Sequence, residues 1–172
     1  MLLKLSLFSI MFSISMKNLE ANNYVWEYSL ASNCSETCSR LEEFTEPVST
    51  YKGDTQVCSK KSLFGLALKP GYKVAGEKGC LVADLRNKVF QCLCAADEYT
   101  LDWRDHSQAS GSCKKTCAQW DQAPVLGDHG NYPVCATIVH DQEYSGHLAP
   151  NTPYCIAGSY TSTVAQCLCS GA

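Results

Sequence analysis

Apolar and polar side chains alternate along Val89-Phe90-Gln91-Cys92-Leu93-Cys94. That run predicts a strand with both cysteine sulfurs on one face. Thr55–Ser59 and Cys80–Asp84 read as further strands, with Gly53-Asp54 and Pro70-Gly71 as turns. Tyr132–Val139 and Tyr154–Ala157 are their later counterparts. The period changes at Cys34 and Cys38, which are four residues apart and so share one face of a helix. Asn33 just before them, with Glu36 three residues on, forms a capping-box-like start. A short helix is therefore expected over Asn33–Phe44, with a counterpart over Ser112–Asp121.

The whole pattern occurs twice. Cys34-x3-Cys38-x19-Cys58-x21-Cys80-x11-Cys92-x-Cys94 is followed by Cys113-x3-Cys117-x17-Cys135-x19-Cys155-x11-Cys167-x-Cys169. Pro47-Val48 and Pro124-Val125 stand at the same distance before the third cysteine of their sets, as do Gly53 and Gly130. Gln91-Cys92-Leu93-Cys94 matches Gln166-Cys167-Leu168-Cys169. Gly65 with Leu68-Lys69-Pro70 is aligned with Gly146 and Leu148-Ala149-Pro150. A tandem duplication follows, with residues 22–95 as the first six-cysteine repeat and 96–172 as the second, and Ala95–Ser112 as a polar connection. The expected fold class is α+β, each repeat being a short helix bolted to a small antiparallel sheet. Units this small bury too little apolar surface to be stable on a core alone, and disulfides supply the difference.

A helical pair of cysteines rises about 6 Å and a C-x-C strand pair about 6.6–6.8 Å, so two disulfides can join them side by side. This arrangement resembles the cysteine-stabilised αβ motif of defensins and scorpion toxins. The resemblance implies Cys34–Cys92 and Cys38–Cys94, which leaves Cys58–Cys80. In the second repeat it implies Cys113–Cys167 and Cys117–Cys169, which leaves Cys135–Cys155. It covers four cysteines per unit. About fifty residues separate the helical from the strand cysteines in each unit, so defensin or toxin activity does not carry over. The succession C-x3-C, Pro-Val, Val-Cys, Leu-x-Pro and Gln-Cys-Leu-Cys resembles tandem six-cysteine repeats of secreted invertebrate proteins of extracellular-matrix or skeletal-matrix type. Leu68-Lys69-Pro70-Gly71-Tyr72 and Gly79-Cys80-Leu81-Val82 more faintly resemble DM9 repeats, without their terminal Gly-Gly-Lys-Glu-like signature and with Asn151 where a Gly follows the Pro.

Lys4 precedes a short apolar run ending near Ile14, the pattern of a secretory leader. Cleavage after Ala21 is preferred to cleavage after Ser15, making residues 1–21 the signal peptide. The run is too short to span a bilayer. A secreted, extracellular protein with paired cysteines is expected. Net charge is −3, but residues 22–95 carry nine Lys/Arg against eight Asp/Glu, whereas residues 96–172 carry three against eight. No basic stripe is present, which argues against nucleic acid as a partner.

All four histidines, His106, His129, His140 and His147, fall in the second repeat. A catalytic histidine common to both repeats is thereby excluded. There is no H-E-x-x-H or G-x-S-x-G, and no metal or other cofactor is expected. Tyr132, Tyr144 and Tyr154, with His147 and Asn151, are the candidate ligand-binding residues, since exposed tyrosines stack on sugars or anchor protein partners. Asn33-Cys34-Ser35 is a possible glycosylation sequon. The reading is a non-catalytic extracellular structural or interaction protein of matrix type, with a protein or glycan partner. The alternatives are a lectin-like module and a secreted inhibitor or toxin acting through loop 66–76.

Overall fold

Alternation of period two runs well beyond the strands expected from sequence, and more than half of the described residues lie in strands. The computed structural model describes residues 23–30, 33–60, 69–83, 85–96, 101–106, 112–127, 130–149 and 152–171. The expected signal peptide, Leu68, His129 and Asn151 lie outside them. The first repeat contains β1 (Tyr24–Leu30), α1 (Cys34–Cys38), β2 (Glu46–Pro47), β3 (Thr55–Lys60), β4 (Pro70–Val74), β5 (Cys80–Val82), β6 (Leu85–Asn87) and β7 (Val89–Ala95). The second contains β8 (Leu101–Asp105), α2 (Cys113–Ala118), β9 (Gln122–Pro124), β10 (Val134–Val139), β11 (Gln142–Leu148), β12 (Tyr154–Ala157), β13 (Tyr160–Thr163) and β14 (Gln166–Gly171). The first sheet runs β1-β7-β3-β4-β5-β6 with β2 also on β7, and the second repeats that order as β8-β14-β10-β11-β12-β13 with β9 on β14. All pairings are antiparallel.

The α+β expectation is overturned: the protein is mostly antiparallel β-sheet, and the helices among the described residues are two, of five and six residues. Asn33 does cap α1, its Oδ1 accepting from the Glu36 amide at 2.7 Å. A single C-x3-C turn suffices to present both sulfurs, and the chain leaves the helix directly afterwards; past α2, Asp121 is left-handed (φ 57°). The strands missing from the sequence reading are chiefly β1, β4, β8 and β11. Leu101–Asp105, assigned to a polar connection, is the edge strand β8. Pro70-Gly71, expected as a turn, begins β4. Gly71 pairs with Cys58 and Gly146 pairs with Cys135, so Gly71 is the true equivalent of Gly146. Both glycines are needed because the next strand passes directly over them: a Cβ would lie 2.0 Å from the Leu81 carbonyl oxygen at Gly71 and 2.1 Å from that of Ile156 at Gly146.

The disulfides are Cys34–Cys92, Cys38–Cys94, Cys58–Cys80, Cys113–Cys167, Cys117–Cys169 and Cys135–Cys155. This small, disulfide-rich protein has every cysteine paired, which fits folding in an oxidising compartment. In the chain-entropy model, loops of 58 and 22 residues correspond to about 4 and about 3 kcal/mol respectively. Cys38–Cys94 closes almost the same loop as Cys34–Cys92, so those two contributions do not add. No helix among the described residues is long and apolar enough to cross a membrane.

Strand alternation then decides where each core lies. On β7, Phe90, Cys92 and Cys94 pack with the other cysteines beneath α1, and Leu93 must point the opposite way. It joins Val48, Val57, Val125, Val134 and Leu168 in a core shared by both repeats. Trp26 and Trp103 border this seam and close it reciprocally. The Trp26 indole donates to the Leu126 carbonyl at 3.0 Å, and Trp103 donates to the equivalent Ser49 carbonyl at 2.7 Å. Such two-way matching is the signature of a self-complementary interface, here within one chain. The layers are thus helix, sheet, sheet, helix.

Trp103→Phe removes the indole donor and leaves the Ser49 carbonyl without it, at a cost of about 1–3 kcal/mol. The urea midpoint is expected to fall with an unchanged slope, and Trp26→Phe is expected to lower it by a similar amount.

Candidate functional site

Along one side of the seam the two repeats meet through polar groups. Glu143 on β11 is buried, and its Oε2 accepts from the Lys52 amide at 2.8 Å. Its own amide donates to Asp54 Oδ2 at 2.9 Å, and its carbonyl accepts from the Thr55 hydroxyl at 3.2 Å. Ser145 Oγ donates to the Gly71 carbonyl at 3.1 Å. The second repeat thereby grips the turn between Thr50 and Thr55 of the first.

Beside these contacts lies a cluster of three tyrosines. Tyr144 meets Tyr72 edge-on and Tyr160 at a tilt, each with ring centroids 4.9 Å apart. Tyr72 is buried, whereas Tyr144 and Tyr160 are partly open to solvent. Gly158 gives Tyr72 room: a Cβ there would sit 2.7 Å from its Cε1, and the backbone is left-handed at φ 59°. Burial raises the Tyr72 phenol above its usual range, followed by the neighbouring phenols of Tyr160 and Tyr144. Tyr144 is raised in the same way, first by burial and then by Tyr160. Both hydroxyls therefore stay protonated at neutral pH. The Tyr144 hydroxyl donates to Gln142 Oε1.

The expected ligand residues do not form one site. Tyr132 and His147 pack edge-on at 5.5 Å, with the Lys69 ammonium 5.4 Å from the Tyr132 ring centre. His147 is buried, and Nδ1 is 2.9 Å from the Pro70 carbonyl, which requires the proton on Nδ1. It is a structural bridge between β11 and β4, in the place that Tyr72 takes in the first repeat. Tyr154 is exposed at the start of β12, apart from the tyrosine cluster. Asn151 lies outside the described residues. Asn33, the sequon residue, is an exposed helix cap. Tyr72 and Tyr160 complete the cluster; no local motif marks their meeting, because it depends on how the two sheets dock.

His106 lies 2.8 Å from Thr116 Oγ1 and 3.6 Å from Cys167 Sγ. With Cys113 it forms a group of potential metal donors within 4.8 Å. Cys113 and Cys167 are bonded to each other, and disulfide sulfurs lack the thiolate charge that binds zinc. His140 is exposed with Asp141 in the two-residue turn joining β10 to β11, both left-handed at φ 50° and 65°. The segment offered as an inhibitory loop, 66–76, contains β4, whose residues Pro70–Lys73 are buried.

No family model, curated protein or solved structure matches this chain.

Burial holds His147 below the usual imidazole range, with the nearby Lys69 charge acting in the same direction and the Pro70 carbonyl opposing it. Burial also lowers His106. Folding favours the neutral rings, so their contribution is complete above the unfolded-state value of about 6.5 and is lost as pH falls through the folded values. Denaturant midpoints are expected to drop between about pH 7 and pH 5. His147→Asn, which retains an amide donor for Pro70, is expected to flatten that slope.

Proposed function

We propose that this protein is a secreted, non-catalytic recognition and structural component of an extracellular matrix. The observation that carries the reading is the tyrosine cluster of Tyr72, Tyr144 and Tyr160, set in the seam of a body stapled by six disulfides. Tyrosine presents large amphipathic area at low entropic cost, and a partner binding to side chains already fixed in place loses little freedom on association. Both phenols raised by burial remain donors, which suits contact with polar partner groups. The histidines also favour recognition over catalysis: His147 is enclosed between strands, and His106 is packed against a disulfide. The resemblance to tandem six-cysteine matrix repeats points the same way.

The test is partition of the oxidised mature protein between solution and an insoluble extracellular-matrix preparation. It is expected in the pellet, with Tyr144→Ala and Tyr160→Ala each weakening retention by about tenfold. Wild-type protein that stays in solution at every salt concentration would sink the matrix reading. So would a hydrolytic turnover that is lost in His140→Ala.

A further inference from the structure

The duplicated architecture provides an internal comparison for every position. Beneath α1, the first repeat covers its disulfides with Val25, Leu41 and Phe44. Strand register places Asp102 at the position of Val25 and Arg104 at that of Glu27. Trp120 takes the place of Leu41: each donates its amide to the carbonyl of the second helical cysteine at 2.9 Å. Gln122 corresponds to Thr45 through the pairing of β9 and β2. Val25 has given way to Asp102 and Leu41 to Trp120, so a partly apolar cover in one repeat is a polar assembly capped by an indole in the other, although the scaffold beneath is the same.

That assembly is organised. Arg104 Nε donates to Gln122 Oε1 at 2.9 Å and Nη2 to Asp102 Oδ2 at 2.7 Å. Gln122 Nε2 donates to the same Asp102 oxygen at 2.9 Å, closing the triangle. The guanidinium carbon lies 4.4 Å from the centre of the Trp120 ring. Trp120 is nevertheless 57% exposed, so the ring face away from Arg104 is open to water. An indole held this way on a fixed support is an unusual exposure for a tryptophan, and the first repeat demonstrates that the fold does not require it.

We propose that Trp120, supported by Arg104, Asp102 and Gln122, is a binding platform for neutral saccharides on the second repeat. The open indole face carries the negative side of the ring quadrupole and attracts the weakly positive C–H groups of a pyranose face. Asp102 offsets the Arg104 charge, so the site does not select a charged ligand. Carboxylate, amide and guanidinium at the ring's border supply acceptors and donors in the mixture that sugar hydroxyls match. Because the four side chains already hold one another, binding orders little that was mobile. This site is separate from the tyrosine seam and does not depend on the matrix reading.

Tryptophan fluorescence tests it on the intact oxidised protein. The chain has three tryptophans, and Trp26 and Trp103 are committed to the seam. Titration with N-acetylchitotriose, cellotetraose and mannotriose at millimolar concentrations is expected to give a saturable change in emission with at least one of them. Trp120→Phe is expected to weaken the affinity, and Trp120→Ala to abolish binding measured by calorimetry, both with a native circular dichroism spectrum. Arg104→Leu, which frees the indole, is expected to weaken binding by about tenfold. No saturable response to any of the three sugars overturns the proposal, as does an equal affinity in Trp120→Ala. A response to choline in place of the sugars also overturns it, by identifying a cation site.

Discussion

A strand whose alternate cysteines are bolted to a helix has one face committed, and the residue between those cysteines must lie on the other. Here that residue is Leu93 in one repeat and Leu168 in the other, both fully buried. Among the described residues, neither repeat has its own cover for this second face. The two faces cover each other, with Val48, Val57, Val125 and Val134 around the leucines and a tryptophan closing each end. The meeting of two units of like topology is therefore part of how the fold is stabilised: each supplies the layer that the other lacks. Burying each aliphatic side chain of the seam contributes about 1.5–3 kcal/mol, comparable with a disulfide.

Near-symmetry in the seam makes the departures from it informative. The Gly53 amide donates to the Thr50 carbonyl and the Gly130 amide to the Gly127 carbonyl, each at 2.8 Å, with Gly53 and Gly130 left-handed at φ 78° and 79°. The first of these turns is gripped by a carboxylate from the other repeat, that of Glu143. Ser29 hydrogen-bonds to Thr37 behind α1, while His106 occupies that position behind α2 and meets Thr116. The shared positions hold the protein together. The differing ones gather along the tyrosine side of the seam and around α2, where recognition is proposed.

Cysteine spacing made the duplication legible, and a C-x3-C turn beside a C-x-C strand was enough to suggest how helix and sheet are joined. The extent of the sheet was less legible. β1 alternates as Tyr24-Val25-Trp26-Glu27-Tyr28, but its partner β7 begins 59 residues after β1 ends and nothing local announces the pairing. β8 carries Asp102, Arg104 and Asp105 and so reads as a polar linker, because Leu101 and Trp103 face the seam and the other face is occupied by a charged network. Pro70-Gly71 reads as a turn by composition, yet it lies in a strand, and the residue is glycine there because the neighbouring backbone leaves no space for a side chain. The tyrosine cluster combines residues from β4, β11 and β13, and only the docking of the two sheets unites them.

Native-state hydrogen exchange at two equivalent amides tests the shared core most directly. The Val48 amide donates to the Leu93 carbonyl and the Val125 amide to the Leu168 carbonyl, each at 2.9 Å. If the repeats form one cooperative body, both amides open with the same free energy, equal to that of global unfolding, and both shift together as denaturant is added. If Val48 exchanges through an opening that leaves Val125 protected, or the reverse, the repeats are independently folded units and the seam is not the basis of the structure.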